Sequence, residues 1–331
     1  MMRKNMSTGK SIAVSVIIPV YNEERYIQRC IESLINQSYP RDKMEWIVID
    51  GNSDDRTYEI LSHFLGQYPI RILSNPKRTT PSSLNMGIKE ANGVYLIRFD
   101  AHAFFPPDYI ENCVNCLEAT DADNVGGYVE TVAEGFWGKA IAKVLSSRFG
   151  VGDSRFRIGG ESGYVDTVPF GAFRREVFKK VGLFDEDMIR SEDNDINARI
   201  QQNGGKVFLS EKIHSIYFCR DTVPALLKQG LLNGNTLFQT IWRNPGAMRL
   251  RHFVPFFFLL SIIILPIISI FSLPVRWLFT SELFFYFLLD IVFSFFYGNP
   301  ENGIVTLWLY PLFHLTYGLG SLLGLFGIRL F

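Results

Sequence analysis

Three acidic sites stand at intervals along the 331-residue chain. Asp50 closes the run Glu45-Trp46-Ile47-Val48-Ile49, Asp100 closes Val94-Tyr95-Leu96-Ile97-Arg98-Phe99, and Ser191-Glu192-Asp193 opens a polar stretch with helical spacing. Short apolar runs bounded by turn residues have the character of buried strands in a parallel sheet. In open α/β sheets, ligands bind beyond the carboxyl ends of the strands. Two strands that end in aspartate therefore predict one cleft, suited to a polyol, a base edge or a metal-bound diphosphate.

The elements that must position these groups follow from periodicity. Residues 11–20 alternate and then run apolar, a first strand. Asn22 is placed to cap the next helix, with Glu23 and Glu24 in its first turn. Ile27, Cys30, Ile31, Leu34 and Ile35 give that helix an apolar face, and Pro40 ends it. Residues 45–50 form the second strand. A helix from Asp54 turns Ile60, Leu61, Phe64 and Leu65 inward, residues 70–73 form the third strand, and Pro81 starts a helix through Glu90. Residues 94–100 form the fourth strand. Strands alternating with helices predict a doubly wound α/β sheet. Further on, residues 125–129 and 206–209 read as strands, 165–173 as a strand and turn, and 174–181 as a helix. Residues 146–164, rich in Gly, Ser and Arg, read as a mobile loop. Ser191 is placed to cap a helix that ends at Gly204-Gly205.

Composition divides the chain. It has 33 basic and 33 acidic side chains, so no basic footprint predicts a nucleic-acid partner. Residues 253–331 hold only Arg276, Glu282, Asp290, Glu301 and Arg329 as charges. Residues 253–275 and 303–328 carry none, and each exceeds the roughly 20 apolar residues that a bilayer core requires. Residues 277–297 are apolar but contain Glu282 and Asp290. The expectation is two or three membrane helices, with a catalytic domain over 11–221, a connector over 222–252 and a loose N-terminus over 1–10. Residues 223–242 place Val223, Leu227, Leu231, Phe238 and Trp242 near one face. Such a helix can lie in a membrane interface or pack on the sheet. Arg243, Arg249 and Arg251 precede the first apolar stretch, which predicts a cytoplasmic flank. The first apolar run is short, contains Pro19 and lacks a cleavage site, so it reads as a strand and not a signal peptide. Cys113 and Cys116 share one face of a helical stretch and read as structural thiols.

The run Val16-Ile17-Ile18-Pro19-Val20-Tyr21-Asn22-Glu23-Glu24, then Ile49-Asp50-Gly51-Asn52-Ser53-Asp54-Asp55, resembles the opening of family 2 glycosyltransferases. The likeness continues through Asn85-Met86-Gly87-Ile88, Phe170-Gly171-Ala172-Phe173-Arg174-Arg175 and Gly182-Leu183-Phe184-Asp185-Glu186 to Ser191-Glu192-Asp193-Asn194-Asp195. Within the family, Asp100-Ala101-His102 and Val165-Asp166-Thr167-Val168-Pro169-Phe170-Gly171 are similar to the succinoglycan-biosynthesis type.

The resemblance implies a GT-A fold, mostly parallel with a Rossmann-like nucleotide-binding half and a membrane-anchoring tail. It implies inverting transfer of a single sugar from a nucleotide-diphosphate donor to a lipid-linked saccharide in exopolysaccharide synthesis. It places Pro19, Tyr21 and Glu23 beside the nucleoside, Asp50 on a uracil edge, which favours UDP, and Arg78 and Asp100 near the diphosphate. A divalent cation, Mn²⁺ or Mg²⁺, is implied on Asp100. The second signature carboxylate is replaced by His102, and His214 stands where some relatives supply a further metal ligand. Asp193 is implied as the general base and Glu192 as an acceptor contact. Processive relatives carry Gln-x-x-Arg-Trp; here Gln239-Thr240-Ile241-Trp242-Arg243 reverses the last two residues, which argues for single-sugar transfer. A polyprenyl phosphate acceptor and a non-catalytic nucleotide-sugar-binding membrane module are the competing functions.

Overall fold

The computed structural model describes residues 12–297 and 300–330; the expected loose segment 1–10 lies outside them. The elements run β1 (Val14–Val20), α1 (Ile27–Ile35), β2 (Met44–Asp50), α2 (Thr57–Ser62), β3 (Ile70–Ser74), α3 (Thr80–Glu90), β4 (Tyr95–Arg98), β5 (Ala103–Phe104) and α4 (Tyr109–Ala119). Then come β6 (Asn124–Val132), α5 (Gly135–Ser146), α6 (Arg148–Val151), α7 (Arg155–Ile158), β7 (Gly163–Tyr164), β8 (Ala172–Arg174), α8 (Val177–Val181), α9 (Glu192–Gln202) and β9 (Val207–Phe218). Four long helices close the chain: α10 (Val223–Arg243), α11 (Val254–Ser269), α12 (Leu273–Ile291) and α13 (Gly303–Leu325).

The sheet order is β3-β2-β1-β4-β8-β6-β9-β5, with β7 on β9. β3, β2, β1 and β4 pair in parallel, as do β6 and β9, whereas β8, β5 and β7 run antiparallel to their neighbours. Successive residues of a strand point to opposite faces. Val16 and Ile18 of β1 therefore join one buried layer with Trp46, Ile31 and Ile110, while Ile17 joins the other with Ile49, Leu84 and Ile196. Each such fully buried aliphatic side chain stabilises the fold by about 1.5–3 kcal/mol. Both faces of β1 are covered, so from Val16 to Val20 its sequence is apolar without alternation, and the buried Ser15 donates to Glu45. The four strands expected over residues 11–100 are present, and Asp50 and Asp100 stand at or just past the ends of β2 and β4.

Several local expectations fail for identifiable reasons. Asn22 does not cap α1, which begins five residues later; it adopts a φ of +54° and exchanges bonds with Asp54, accepting from its backbone N–H at 3.0 Å. Ser191 precedes α9 without a side-chain capping bond, in the left-handed region at φ +65°. Leu65 lies beyond the short α2 and is exposed. The 146–164 segment is not a simple loop, because it holds α6, α7 and β7. The last strand runs on to Phe218 with a bulge opposite Gly127-Tyr128, so His214 lies within it and not after it.

The tail departs most. Residues 250–269 and 273–296 form helices long and apolar enough to cross a membrane, and few of their side chains are buried inside the protein, while Phe257 and Phe284 are 57% and 64% exposed. Residues 303–328 are as uncharged, yet α13 buries Thr306, Leu309, Tyr310, His314 and Ser321 inside the protein. Its partner is α10. A Cβ on Gly234 would meet the Tyr317 carbonyl oxygen at 1.9 Å, one on Gly320 the Leu231 oxygen at 2.0 Å, and one on Gly324 the Asn235 oxygen at 2.3 Å. The two helices thus touch backbone to backbone, which only glycine permits. The buried side of α10 is Leu226, Gly230, Gly234, Leu237 and Thr240, not the aromatic face, and Trp242 is exposed. Phe149 of α6 inserts between the tail rings of Tyr310, His314 and Tyr286, 5.0–5.3 Å away, and its carbonyl meets His314 Nε2 at 3.0 Å. The arginines before the first apolar helix are not free charges. Arg243 pairs with Asp185 and Asp187, and Arg251 with Asp153 and Asp166.

Candidate active site

A cavity of about 820 Å³ opens at the carboxyl ends of the parallel strands. Pro19, Val20 and Tyr21 enter from β1, Gly51 from the end of β2, and Arg98, Asp100 and His102 from β4 and the turn after it. Ser191 and Glu192 at the head of α9 and Lys228, Gln229 and Asn233 of α10 close the other side. Four non-glycine residues in or beside this cavity have positive φ: Asn22, Asn52, Arg78 and Ser191, at +54°, +55°, +58° and +65°. Such conformations cost on the order of 1 kcal/mol each and persist where the surrounding fold over-determines them.

Arg98 is the electrostatic centre. Its side chain is 8% exposed and its guanidinium reaches three carboxylates: Nε donates to Asp100 at 2.8 Å, and Nη1 donates to Glu192 at 3.0 Å and to Asp193 at 2.9 Å. Burial works against its charge, but the three acids together hold its pKa well above the ordinary arginine value. For Asp193 the balance falls the other way. Burial raises its pKa, Arg98 opposes that, and the nearby Glu192 and Asp100 add to it, so the carboxyl is pushed up to about 7.

Toward the opening, Tyr21 carries the Arg78 guanidinium over its ring, 5.3 Å from the centroid. Asp50 is buried beneath this wall, and its Oδ1 accepts from the Ser53 hydroxyl at 2.6 Å and from the Ser53 backbone N–H at 3.1 Å. Oδ2 is left without a protein donor among the described residues. A Cβ on Gly51 would crowd the Tyr21 ring at 3.2 Å, so glycine lets this ring lie close to the end of β2. His102 Nδ1 meets Glu23 Oε1 at 3.0 Å. Burial disfavours the charged imidazole, but Glu23 and Asp100 outweigh that and raise its pKa.

Asp100 and His102 share the cavity wall, with Nε2 the imidazole nitrogen that Glu23 leaves free. Among the described residues no three His, Cys, Asp or Glu side chains gather into a cation cage. One carboxylate and one imidazole fit a divalent cation that arrives on a diphosphate and completes its shell with phosphate oxygens and water. Imidazole suits Mn²⁺ better than Mg²⁺. A cation on Nε2 must displace the proton that Glu23 favours. His214 is not part of this set. It stacks on Tyr128 at 5.5 Å, pairs with Glu130 at 3.4 Å, and does not line the cavity.

Residues 15–182 match the family model for glycosyl transferase family 2. The chain is 32% identical over 268 residues to dolichyl N-acetyl-alpha-D-glucosaminyl phosphate 3-beta-D-2,3-diacetamido-2,3-dideoxy-beta-D-glucuronosyltransferase of Methanococcus voltae, covering 76% of this chain and 81% of that protein. The chain belongs to glycosyl transferase family 2. It is also 30% identical over 243 residues to the succinoglycan biosynthesis protein ExoA of Rhizobium meliloti, covering 72% of this chain and 73% of the relative. Among solved structures, it resembles mannosyltransferase PcManGT of Pyrobaculum calidifontis in complex with GDP-Man and Mn²⁺. The TM-score is 0.63 at 18% identity, over 95% of this chain and 87% of that one. S. aureus TarS 1-349 in complex with UDP-GlcNAc gives 0.54 at 14% identity, over 95% and 92%. At such identities these two likenesses establish the fold, which is GT-A.

Within this family 2 transferase the cavity gathers Pro19, Tyr21, Glu23, Arg78, Asp100, His102 and Glu192, with Asp50 beneath it. Asp193 faces a second cavity that shares Ser191, Glu192, Gln229 and Asn233 with the first. Sequence reasoning missed Arg98, although a charge inside an apolar strand is a signal that a buried partner waits for it. It also missed Arg190, Arg220 and Lys228, which line the first cavity and have no carboxylate partner within salt-bridge distance among the described residues. Arg190 donates to Asn233 Oδ1 at 2.8 Å, and burial lowers its pKa. The Cys113 thiol is buried and its pKa is pushed far up by that burial, which leaves it unreactive.

Proposed function

We propose that this transferase moves a hexose from a UDP-sugar to a hydroxyl of a lipid-linked saccharide, one sugar at a time and with inversion. Asp193 carries the proposal: it stands where two cavities meet, tied through Arg98 to the strand-end aspartate of the first. The base lies against Tyr21, and Asp50 Oδ2 accepts the uracil N–H. Arg190, Arg220 and Lys228 balance the diphosphate charge. The acceptor hydroxyl approaches from the second cavity, and Asp193 takes its proton as the oxygen bonds to the anomeric carbon. The bond from that carbon to the diphosphate oxygen breaks on the opposite side and its electron pair leaves with UDP, which inverts the centre. Arg98 holds Asp193 in place and keeps enough positive charge beside it for the ionised form to exist near neutral pH. When bound at Asp100 and His102, a divalent cation supplies Lewis-acid charge to the leaving diphosphate.

The name of the Methanococcus voltae relative, which includes a dolichyl phosphate sugar, supports the lipid-linked acceptor, and that of the Rhizobium meliloti relative supports a role in polysaccharide synthesis. A UDP-sugar panel on purified membranes tests the reaction. UDP release is expected to depend on added lipid extract, to stop in excess chelator, and to return with Mn²⁺ at least as well as with Mg²⁺. No release from any donor would sink the function, and full activity in chelator would remove the cation from it.

The two exposed apolar helices anchor the enzyme in the cell membrane as a multi-pass protein, with the catalytic domain on the cytoplasmic side, where nucleotide sugars are made. A cysteine placed at Ser62 is expected to resist an impermeant thiol reagent in intact cells. Labelling from outside would overturn this topology.

A further inference from the structure

The second cavity, about 700 Å³, is built differently from the first. One wall is polar and belongs to the catalytic domain: Arg148 of α6, Arg157 of α7 and Asp193. The facing wall belongs to the tail: Val254 and Phe258 of α11, Leu289 of α12 and Phe313 of α13. Val254 and Leu289 are themselves 59% and 46% exposed, so the apolar wall runs on without a break into the exposed surface of the two apolar helices.

Neither arginine is paired with a carboxylate among the described residues. Arg157 donates to the Thr131 hydroxyl at 2.9 Å and lies over the Tyr217 ring at 5.1 Å, but it has no carboxylate partner within salt-bridge distance among the described residues. Arg148 has none either and is exposed at the edge of the cavity, where its guanidinium can meet an anion without first losing its water. Arg251, on the same cavity, is already paired with Asp153 and Asp166. Arg157 is partly buried, and a cation withdrawn from water without an acidic partner is costly unless an anion joins it. Guanidinium groups match phosphate oxygens by paired N–H donation.

We infer that the second cavity binds the phosphate head of the acceptor's lipid carrier, with Arg148 and Arg157 on the phosphate and the chain leaving along Val254, Phe258 and Leu289 toward the bilayer. The inference rests on the glycosyltransferase function proposed above and adds to it where the carrier sits. It explains why the apolar helices join the catalytic domain at α6: the segment that carries Phe149 into the tail also carries Arg148. It also sets a geometry for transfer. A phosphate fixed at these arginines presents the saccharide attached to it toward Asp193 and, past it, the opening that the two cavities share at Glu192 and Asn233. The occupant is a lipid phosphate and not free phosphate, because more of the lining is apolar than a bare anion can use.

Binding to the purified full-length protein in detergent tests this without turnover, with farnesyl phosphate as the probe, farnesol as the uncharged control and inorganic pyrophosphate as the chainless one. Wild type is expected to prefer farnesyl phosphate over either control by on the order of tenfold or more, the scale of a lost charged contact. Arg148→Gln and Arg157→Gln should each reduce that preference, while UDP-sugar affinity stays unchanged and reports an intact fold. Leu289→Trp, which fills the apolar arm and touches neither arginine, should weaken farnesyl phosphate and farnesol together. Equal farnesyl phosphate binding by wild type and the double arginine variant would overturn the assignment. So would competition between farnesyl phosphate and the UDP-sugar, which would put the lipid in the first cavity. Absence of glycosyl transfer in the donor panel would defeat the enzymatic function and leave this binding result to be judged separately.

Discussion

Arg98→Met is expected to abolish transfer and to lower stability by about 3–5 kcal/mol, the usual cost of removing one partner from a buried ion pair. The reason is that one guanidinium serves Asp100, Glu192 and Asp193, whose side chains are only 15%, 12% and 21% exposed. Methionine fills similar space but leaves three carboxylates facing one another with no cation between them. They can relieve the repulsion by taking up protons, and Asp193, already raised to about 7, takes one first. The same substitution therefore removes the base and loosens the head of α9 on which it sits. Arg98→Lys keeps the charge, but an ammonium cannot present the flat fork that reaches three acids at once, so it should recover stability better than rate. Thermal melting with and without UDP separates the two effects. A wild-type melting temperature with a wild-type rate in Arg98→Met would show that this cluster neither holds the fold nor tunes the base.

Asp193→Asn is expected to cut kcat by roughly 10²–10⁴, the range for loss of a positioned general base, while donor affinity changes no more than a few-fold. Asparagine keeps the size and can still accept from Arg98, so the nucleotide cavity should survive. The pH profile gives an independent check. The base must be ionised, and burial has raised its pKa to about 7. Transfer should therefore be nearly complete above that pH and fall as pH drops through it, a limb that the asparagine variant should lack. Loss of UDP-sugar binding comparable to the loss of rate would move Asp193 from chemistry to donor recognition.

Much of the site could be read locally. Asp50 and Asp100 were legible because a buried parallel strand announces itself as an unbroken apolar run, and the residue that ends it faces the ligand edge. Asp193 was legible as the start of a polar helix, and the role proposed for it rests on family resemblance. Arg98 escaped although it ends the strand two residues before Asp100. Its partners Glu192 and Asp193 are 94 and 95 residues away along the chain, and no local pattern joins them. His214 is placed away from the first cavity for a related reason: the bulge in β9 sets its ring against Tyr128 and Glu130.

The sequence by itself determined the nucleotide-binding half: its strands, the helices between them, and the acidic residues at its carboxyl edge. These follow from short-range periodicity, which each segment carries whether or not the rest of the chain is present. It also determined that the tail is apolar, but not what the apolar surface faces. Hydropathy measures the wish to leave water and does not distinguish lipid from protein as the destination. Only the tertiary structure separated α11 and α12, which bury few side chains in the protein, from α13, whose glycines lie against the backbone of α10. Only it turned residues 146–164 into the joint between catalytic domain and tail, because Phe149 finds its ring partners more than 130 residues further along the chain. The second cavity exists for the same reason. Its polar and apolar walls come from segments far apart in sequence, and neither wall is a site until packing sets one against the other.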